Sequence, residues 1–300
     1  MIGANEDGAS SAGQPRDSDL VPHEPMPADD LSLPWDAVAA WFDQLDDGGY
    51  TRVQVSRTTT ETWSSLLALA LRRCYVRDDV LRARVLSNQL SVQEVLAAFL
   101  PNVASTRSGD FGEVIVYLYL SARALPRTFI GPKKWRHKTN PDAPMHGSDV
   151  VLFHFSNWPL PSGEDVLVCA EVKSKATQGA HRPAVDAVRD LDKDRTSRLA
   201  KTLTWMKRRA IITGLDDIHV AHIERFERAI EHPAAKREFV AACLYCDSLV
   251  DADLSGTALF STSDVELVVI SVPDLRGAYT EIFSAALTMT LEDETTPGEL

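Results

Sequence analysis

Three hundred residues, 44% apolar and 25% charged, describe a soluble globular chain long enough for one large domain or two modest ones. No uncharged apolar run approaches the length of a membrane span, and four scattered cysteines cannot form a disulfide framework. The net charge of −12 sits mostly at the ends: residues 1–30 carry seven acids against one arginine, residues 292–300 carry four acids, and the span between is left at about −2. Acidity therefore does not exclude a nucleic-acid partner. The first thirty residues show no basic head followed by an apolar block, so no secretory signal is read there, and a reducing cytoplasm is the expected location.

In chain order, residues 1–30 are polar and rich in Asp, Glu, Ser, Pro, Gly and Ala, a composition expected to be disordered, as is the acidic tail 292–300. Residues 31–105 read as a mainly helical N-terminal region. LPWDAVAAWFDQL, TTTETWSSLLALALRRC and SVQEVLAAFL each place apolar residues three and four apart, and a short strand, YTRVQVSR, separates the first two. From 106 to 291 the pattern changes. A buried helix is expected at 108–125, capped by Ser108 or Asp110, then a basic loop, then two strands near 148–155 and 165–173. A long helix at 183–209, strands at 238–246 and 265–272 and a closing helix near 274–289 complete an α/β layout with a mixed central sheet flanked by helices.

The stretch HGSDVVLFHFSNWPLPSGEDVLVCAEVKSK, residues 146–175, carries charge where a buried strand pair should have none. A hairpin folded symmetrically about Leu160 sets Asp149 opposite Glu171, about 5 Å apart, with Lys173 on the same face as Glu171. Two carboxylates that close repel unless one is protonated or a cation lies between them. A divalent ion with oxygen ligands removes the conflict, and an adjacent lysine orients a water or neutralises phosphate charge. Glu113, in the first turn of the buried helix, is the natural third carboxylate. Glu171-Val172-Lys173 is the one acid-x-Lys triplet among the nine lysines, although a surface ion pair at a strand end would show the same text.

The order of Glu on a helix, Asp on a strand and Glu-x-Lys on the next resembles the PD-(D/E)xK nuclease superfamily. More closely, GDFGEVIVYLYL, MHGSDVVLF and CAEVKSKA resemble the HamA family, the nuclease subunit of the bacterial Hachiman anti-phage system, over roughly residues 60–290. The resemblance implies a restriction-endonuclease-like core and a DNA nuclease dependent on Mg²⁺ or Mn²⁺, working with a HamB-type helicase. By position, Asp149 and Glu171 would hold the metal, Lys173 would be the catalytic lysine and Glu113 the accessory acid. The superfamily's Pro-Asp is here Ser148-Asp149.

Between Val114 and Pro141 there is no acid, yet Lys133, Lys134, Arg136 and Lys138 flank Trp135 and His137. Such a loop suits phosphates and a stacked base, and Lys175 adds a further candidate phosphate contact. The helix 183–209 carries Lys193, Arg195, Arg198, Lys201, Lys207, Arg208 and Arg209, either as a DNA-facing flank or as a solvated face. Cys243 and Cys246 fall on opposite faces of a strand and read as core packing. His146 reads as support for Asp149 or as a phosphate contact. The chain has no phosphate-loop motif, so an ATP-driven motor would belong to a partner. A non-catalytic subunit that restrains the helicase, or an RNA nuclease using the same site, remains open on these residues.

Overall fold

The runs VVLFH, VLVCAEVKSK, KREFVAACLYC and ELVVISV form four adjacent strands, β3 (Val150–His154), β4 (Val166–Lys175), β5 (Lys236–Cys246) and β6 (Glu266–Val272). The computed structural model describes residues 29–45, 49–216, 218–228, 234–255, 261–262 and 264–291. Two short strands, β1 (Asp43–Leu45) and β2 (Thr51–Gln54), extend the sheet to six, in the order β1-β2-β6-β5-β4-β3. The pairs β2–β6, β6–β5 and β5–β4 are parallel, whereas the outermost pairs β1–β2 and β3–β4 are antiparallel. The sheet is mixed and the class is α/β, as expected. Apart from Asp29 and Asp30, the segments expected as acidic tails lie outside the described residues.

The central strands are apolar on both faces because helices cover both. On one face Val168, Ala170, Val172, Val240, Ala242, Leu244, Val268 and Ile270 pack with α2 (Arg57–Tyr75), α5 (Ala104–Arg123) and α10 (Leu275–Thr288). On the other, Leu167, Cys169 and Phe153 meet α7 (Leu199–Ile212) and α8 (Val220–Glu227), and Ala241, Cys243 and Leu267 meet α6 (Pro183–Lys193) and α9 (Asp247–Leu254). The short α1 (Trp35–Ala39), α3 (Asp78–Asn88) and α4 (Val92–Phe99) complete the helices among the described residues. Ser56 caps α2 by accepting from the Thr59 amide, and Ser91 with Glu94 forms a capping box on α4. The alternation that points Cys243 into the core leaves Cys246 half-buried, and neither is bonded to another cysteine.

The N-terminal region 31–105 shares a sheet and a core with 106–291: β2 pairs with β6, and α2 packs on α5 and α10. Two expectations are corrected. The buried helix begins at Ala104 rather than Ser108, with no side-chain cap. Glu113 is therefore mid-helix, not in the first turn. The long helix at 183–209 is interrupted by a π turn at Asp194–Arg198 between α6 and α7.

Candidate active site

The β3–β4 register is the one expected: Val150 pairs with Ala170, Val151 with Cys169 and Leu152 with Val168. Extended by one residue, it sets Asp149, just before β3, opposite Glu171. Gly147 turns the chain into this position with φ of +115°, a conformation that favours glycine. A Cβ there would also meet the Thr202 hydroxyl at 3.0 Å. Asp149 Oδ2 accepts a hydrogen bond from the Val172 amide at 2.8 Å, which ties it to the end of the β4 ladder. Ser148 donates through its hydroxyl to Asp194 Oδ1 at 2.6 Å and through its amide to Thr202 Oγ1 at 3.0 Å.

Glu171 is 2% exposed, on the face covered by α6 and α7. Lys173 Nζ lies 2.5 Å from its Oε1 and 3.1 Å from Asp190 Oδ2 on α6, while the Arg198 guanidinium bonds its other oxygen. Burial, reinforced by the Asp149 charge, pushes the Glu171 carboxyl up to about 7 despite both cations. Burial works against the charge on Lys173, but Glu171 and Asp190 outweigh it and raise its pKa, so the ammonium is protonated. Asp190 is held down at about 2 because hydrogen bonds from Lys193 and Lys173 exceed its desolvation.

Glu113 arrives from α5, in the layer on the other side of the sheet. Lys134, on a 3-10 turn at Lys134–His137, connects it to Asp149: the ammonium is 3.1 Å from Glu113 and 3.6 Å from Asp149. The Trp135 indole N–H donates to Glu113 Oε2 at 3.0 Å. Burial first, then the Asp149 and Asp110 charges, pushes Glu113 up to about 8 against the pull of Lys134. Asp149, Glu171, Lys173 and Glu113 are thus gathered around one end of β3 and β4.

The residues expected to grip DNA are placed differently. Lys133, Lys134 and Trp135 are buried, and the turn carries its charges inward because acids wait there. Lys133 pairs with Asp29 at 3.0 Å and donates to the Tyr117 hydroxyl at 2.9 Å. Arg136 bonds Asp30 and Asp216, and Lys138 bonds Asp110. Lys175 is 2% exposed and bound to Asp253 at 2.7 Å. A loop with no acid of its own looked solvent-facing, but its partners come from distant parts of the chain. His146 is exposed at the mouth of a cavity of about 20 Å³ that Lys134, Asp149, Thr202 and Trp205 also line. Asp190 and Asp194 were missed. Their spacing of four from each other, and of Asp194 from Arg198, was the available signal.

A comparison with protein-family models matches residues 50–286 to HamA, most of the chain. The chain belongs to the HamA family. Membership gives this HamA protein a role in anti-phage defence. A search of curated proteins gave no match. The matched span contains every residue of the site described above, and no helix among the described residues is long and apolar enough to cross a membrane.

Among the described residues no three Asp, Glu, His or Cys side chains gather closely enough to hold a metal ion. The donor chemistry nevertheless suits a hard divalent cation in this HamA site. Asp149 and Glu171 offer carboxylate oxygens from facing strand ends. Burial first, and then the Asp149 charge, raises both Glu171 and Glu113, so a cation at these carboxylates would offset a cost that the fold imposes on their ionised forms.

Proposed function

We propose that the protein is a metal-dependent deoxyribonuclease that acts as the effector of its defence system together with a helicase partner. The observation that carries this reading is the strand register, which opposes Asp149 and Glu171 and sets the Lys173 ammonium on Glu171. Asp149 and Glu171 would hold Mg²⁺ or Mn²⁺, which supplies Lewis-acid charge stabilisation and an acidified water when bound. Lys173, protonated, neutralises charge developing on the phosphate and orients the attacking water; it is not available as the base. Glu113, held through Lys134 and Trp135, supports the Asp149 side of the site. In the net reaction water adds to phosphorus, the phosphorus–oxygen ester bond breaks, and the leaving oxygen takes a proton.

One observation favours a second reading, a non-catalytic subunit that restrains the helicase. Lys134, Lys173 and Arg198 already occupy the carboxylates, so the site is neutralised internally. Plasmid integrity with Mg²⁺, alone and with the co-encoded helicase and ATP, separates the two. Wild type should degrade plasmid and Lys173→Ala should lose about 10²–10³-fold in rate while remaining folded. An untouched plasmid under every condition would select the restraining subunit, and RNA offered in parallel tests the choice of DNA.

A further inference from the structure

If the site cuts nucleic acid, the strand must reach it past groups that meet phosphate, and the basic turn at 133–138 is turned inward. The next cations in line are on α7. Arg198, Lys201, Trp205 and Arg208 follow one another at intervals of three, four and three residues, so they form one stripe along the helix. Its inner end is fixed at the site by Arg198, bonded to Glu171. Its middle is fixed there too, because Trp205 lines the small cavity with Asp149, His146 and Lys134. Lys201 and Arg208 are exposed and have no hydrogen-bond or ion-pair partner among the described residues.

The surrounding charges sharpen the stripe. Lys207 is excluded from it, held by Glu224 at 2.7 Å and Glu227 at 3.1 Å, and Arg209 turns inward to His137. Lys193 is held by Asp190, and Arg195 by Asp192 and Asp264. Trp205 is half-buried, edge-on to the His137 ring at 6.0 Å, and its indole N–H makes no hydrogen bond within the described residues. An aromatic ring between two free cations, leading to a carboxylate site, has the components of a single-strand platform: charges for the backbone and a ring for an unpaired base. A duplex keeps its bases stacked and offers the indole nothing.

Resting on the nuclease reading above, we propose that the Arg198–Lys201–Trp205–Arg208 stripe of α7 is the track along which a single nucleic-acid strand enters the site. The track suits the product of a helicase, an unwound strand.

The test is fluorescence anisotropy of labelled single-stranded and duplex oligonucleotides with the full chain, in EDTA so that nothing is cut. Against wild type stand a Lys201→Glu/Arg208→Glu double variant, Trp205→Ala, and an Arg189→Glu/Arg195→Glu control on exposed positions outside the stripe. Thermal melting of each variant checks the fold. The track predicts that the double variant weakens single-strand binding tenfold or more and flattens the salt dependence by one to two in slope, roughly the loss of two phosphate contacts. Trp205→Ala should weaken single-strand binding by about tenfold, the loss of one base stack, with the slope unchanged. The control should bind as wild type. Unchanged single-strand binding by the double variant, an equal effect of the control, absent binding by wild type, or a preference for duplex would each overturn the proposal. The plasmid assay in Mg²⁺ described above, run on wild type and the stripe variants, keeps the two readings apart. If the stripe governs binding but wild type never cleaves, the track stands and the nuclease falls; if wild type cleaves and the stripe variants bind normally, the reverse holds.

Discussion

Burial holds Glu113 and Glu171 partly protonated near neutral pH, at about 8 and about 7. A carboxyl whose folded pKa exceeds its unfolded one binds its proton more tightly when folded. The stability it contributes is complete below the unfolded value, near 4.5, and is lost as pH rises through the folded one. Between about pH 5 and 8, metal-free wild type should therefore lose stability relative to Glu113→Gln, at no more than about 1.4 kcal/mol per pH unit. Denaturant melts of the two proteins at several pH values would show it, and parallel curves would refute it. Lys134 is the counter-charge between Glu113 and Asp149. Lys134→Met should cost about 3–5 kcal/mol without metal, since buried carboxylate charge is left without its cation. Added Mg²⁺ should recover part of that loss and EDTA should remove the gain. A melting temperature indifferent to Mg²⁺ in this variant would argue against a cation site there.

At the scale of elements, what aligns the site is the hairpin. Asp165, at the start of β4, accepts from the Ser156 and Ser162 amides and pairs with Arg225 of α8 at 2.6 Å, both side chains nearly fully buried. Arg225→Ala should destabilise the fold by about 3–5 kcal/mol, measured by urea unfolding, although it lies outside the site. Gly147→Ala, forced into a left-handed conformation against Thr202, should cost about 1–3 kcal/mol and lower activity by displacing Ser148 and Asp149. This hairpin was also the most legible part of the chain. Period-two alternation and one symmetric loop gave the register, and with it the Asp149–Glu171–Lys173 grouping, because a one-residue slip would have turned every side chain over. The inward-facing basic turn could not be read in the same way. Lys133 and Arg136 find their acids at Asp29, Asp30 and Asp216, roughly a hundred residues away in each direction, and no local pattern encodes such partners. The π turn was hidden for a different reason: apolar spacing on either side of it is helical, and one wide turn changes no residue type.

For the whole molecule, the sheet leaves no seam at residue 105. β2 completes the edge of β6, and Trp63 of α2 packs 6.1 Å from Phe111 of α5, ring centre to ring centre. A fragment starting at residue 106 should therefore expose a sheet edge and an apolar face and fail to fold. A cooperative melt of that fragment would restore the separate N-terminal region. The π turn has a consequence for how this molecule tolerates change in length. Eight residues of regular helix turn through about 800°, roughly 80° past two full turns, yet Asp194 and Thr202 both reach Ser148 across that interval. The wide turn absorbs the excess. Deleting one residue between 194 and 198 would leave seven residues of regular helix, about 700°, so Thr202, Trp205 and Met206 would keep their direction to within roughly 20°. The helix thus has a residue to spare at this turn, whereas one residue added to it would swing Thr202, Trp205 and Met206 by about 100°, off the sheet.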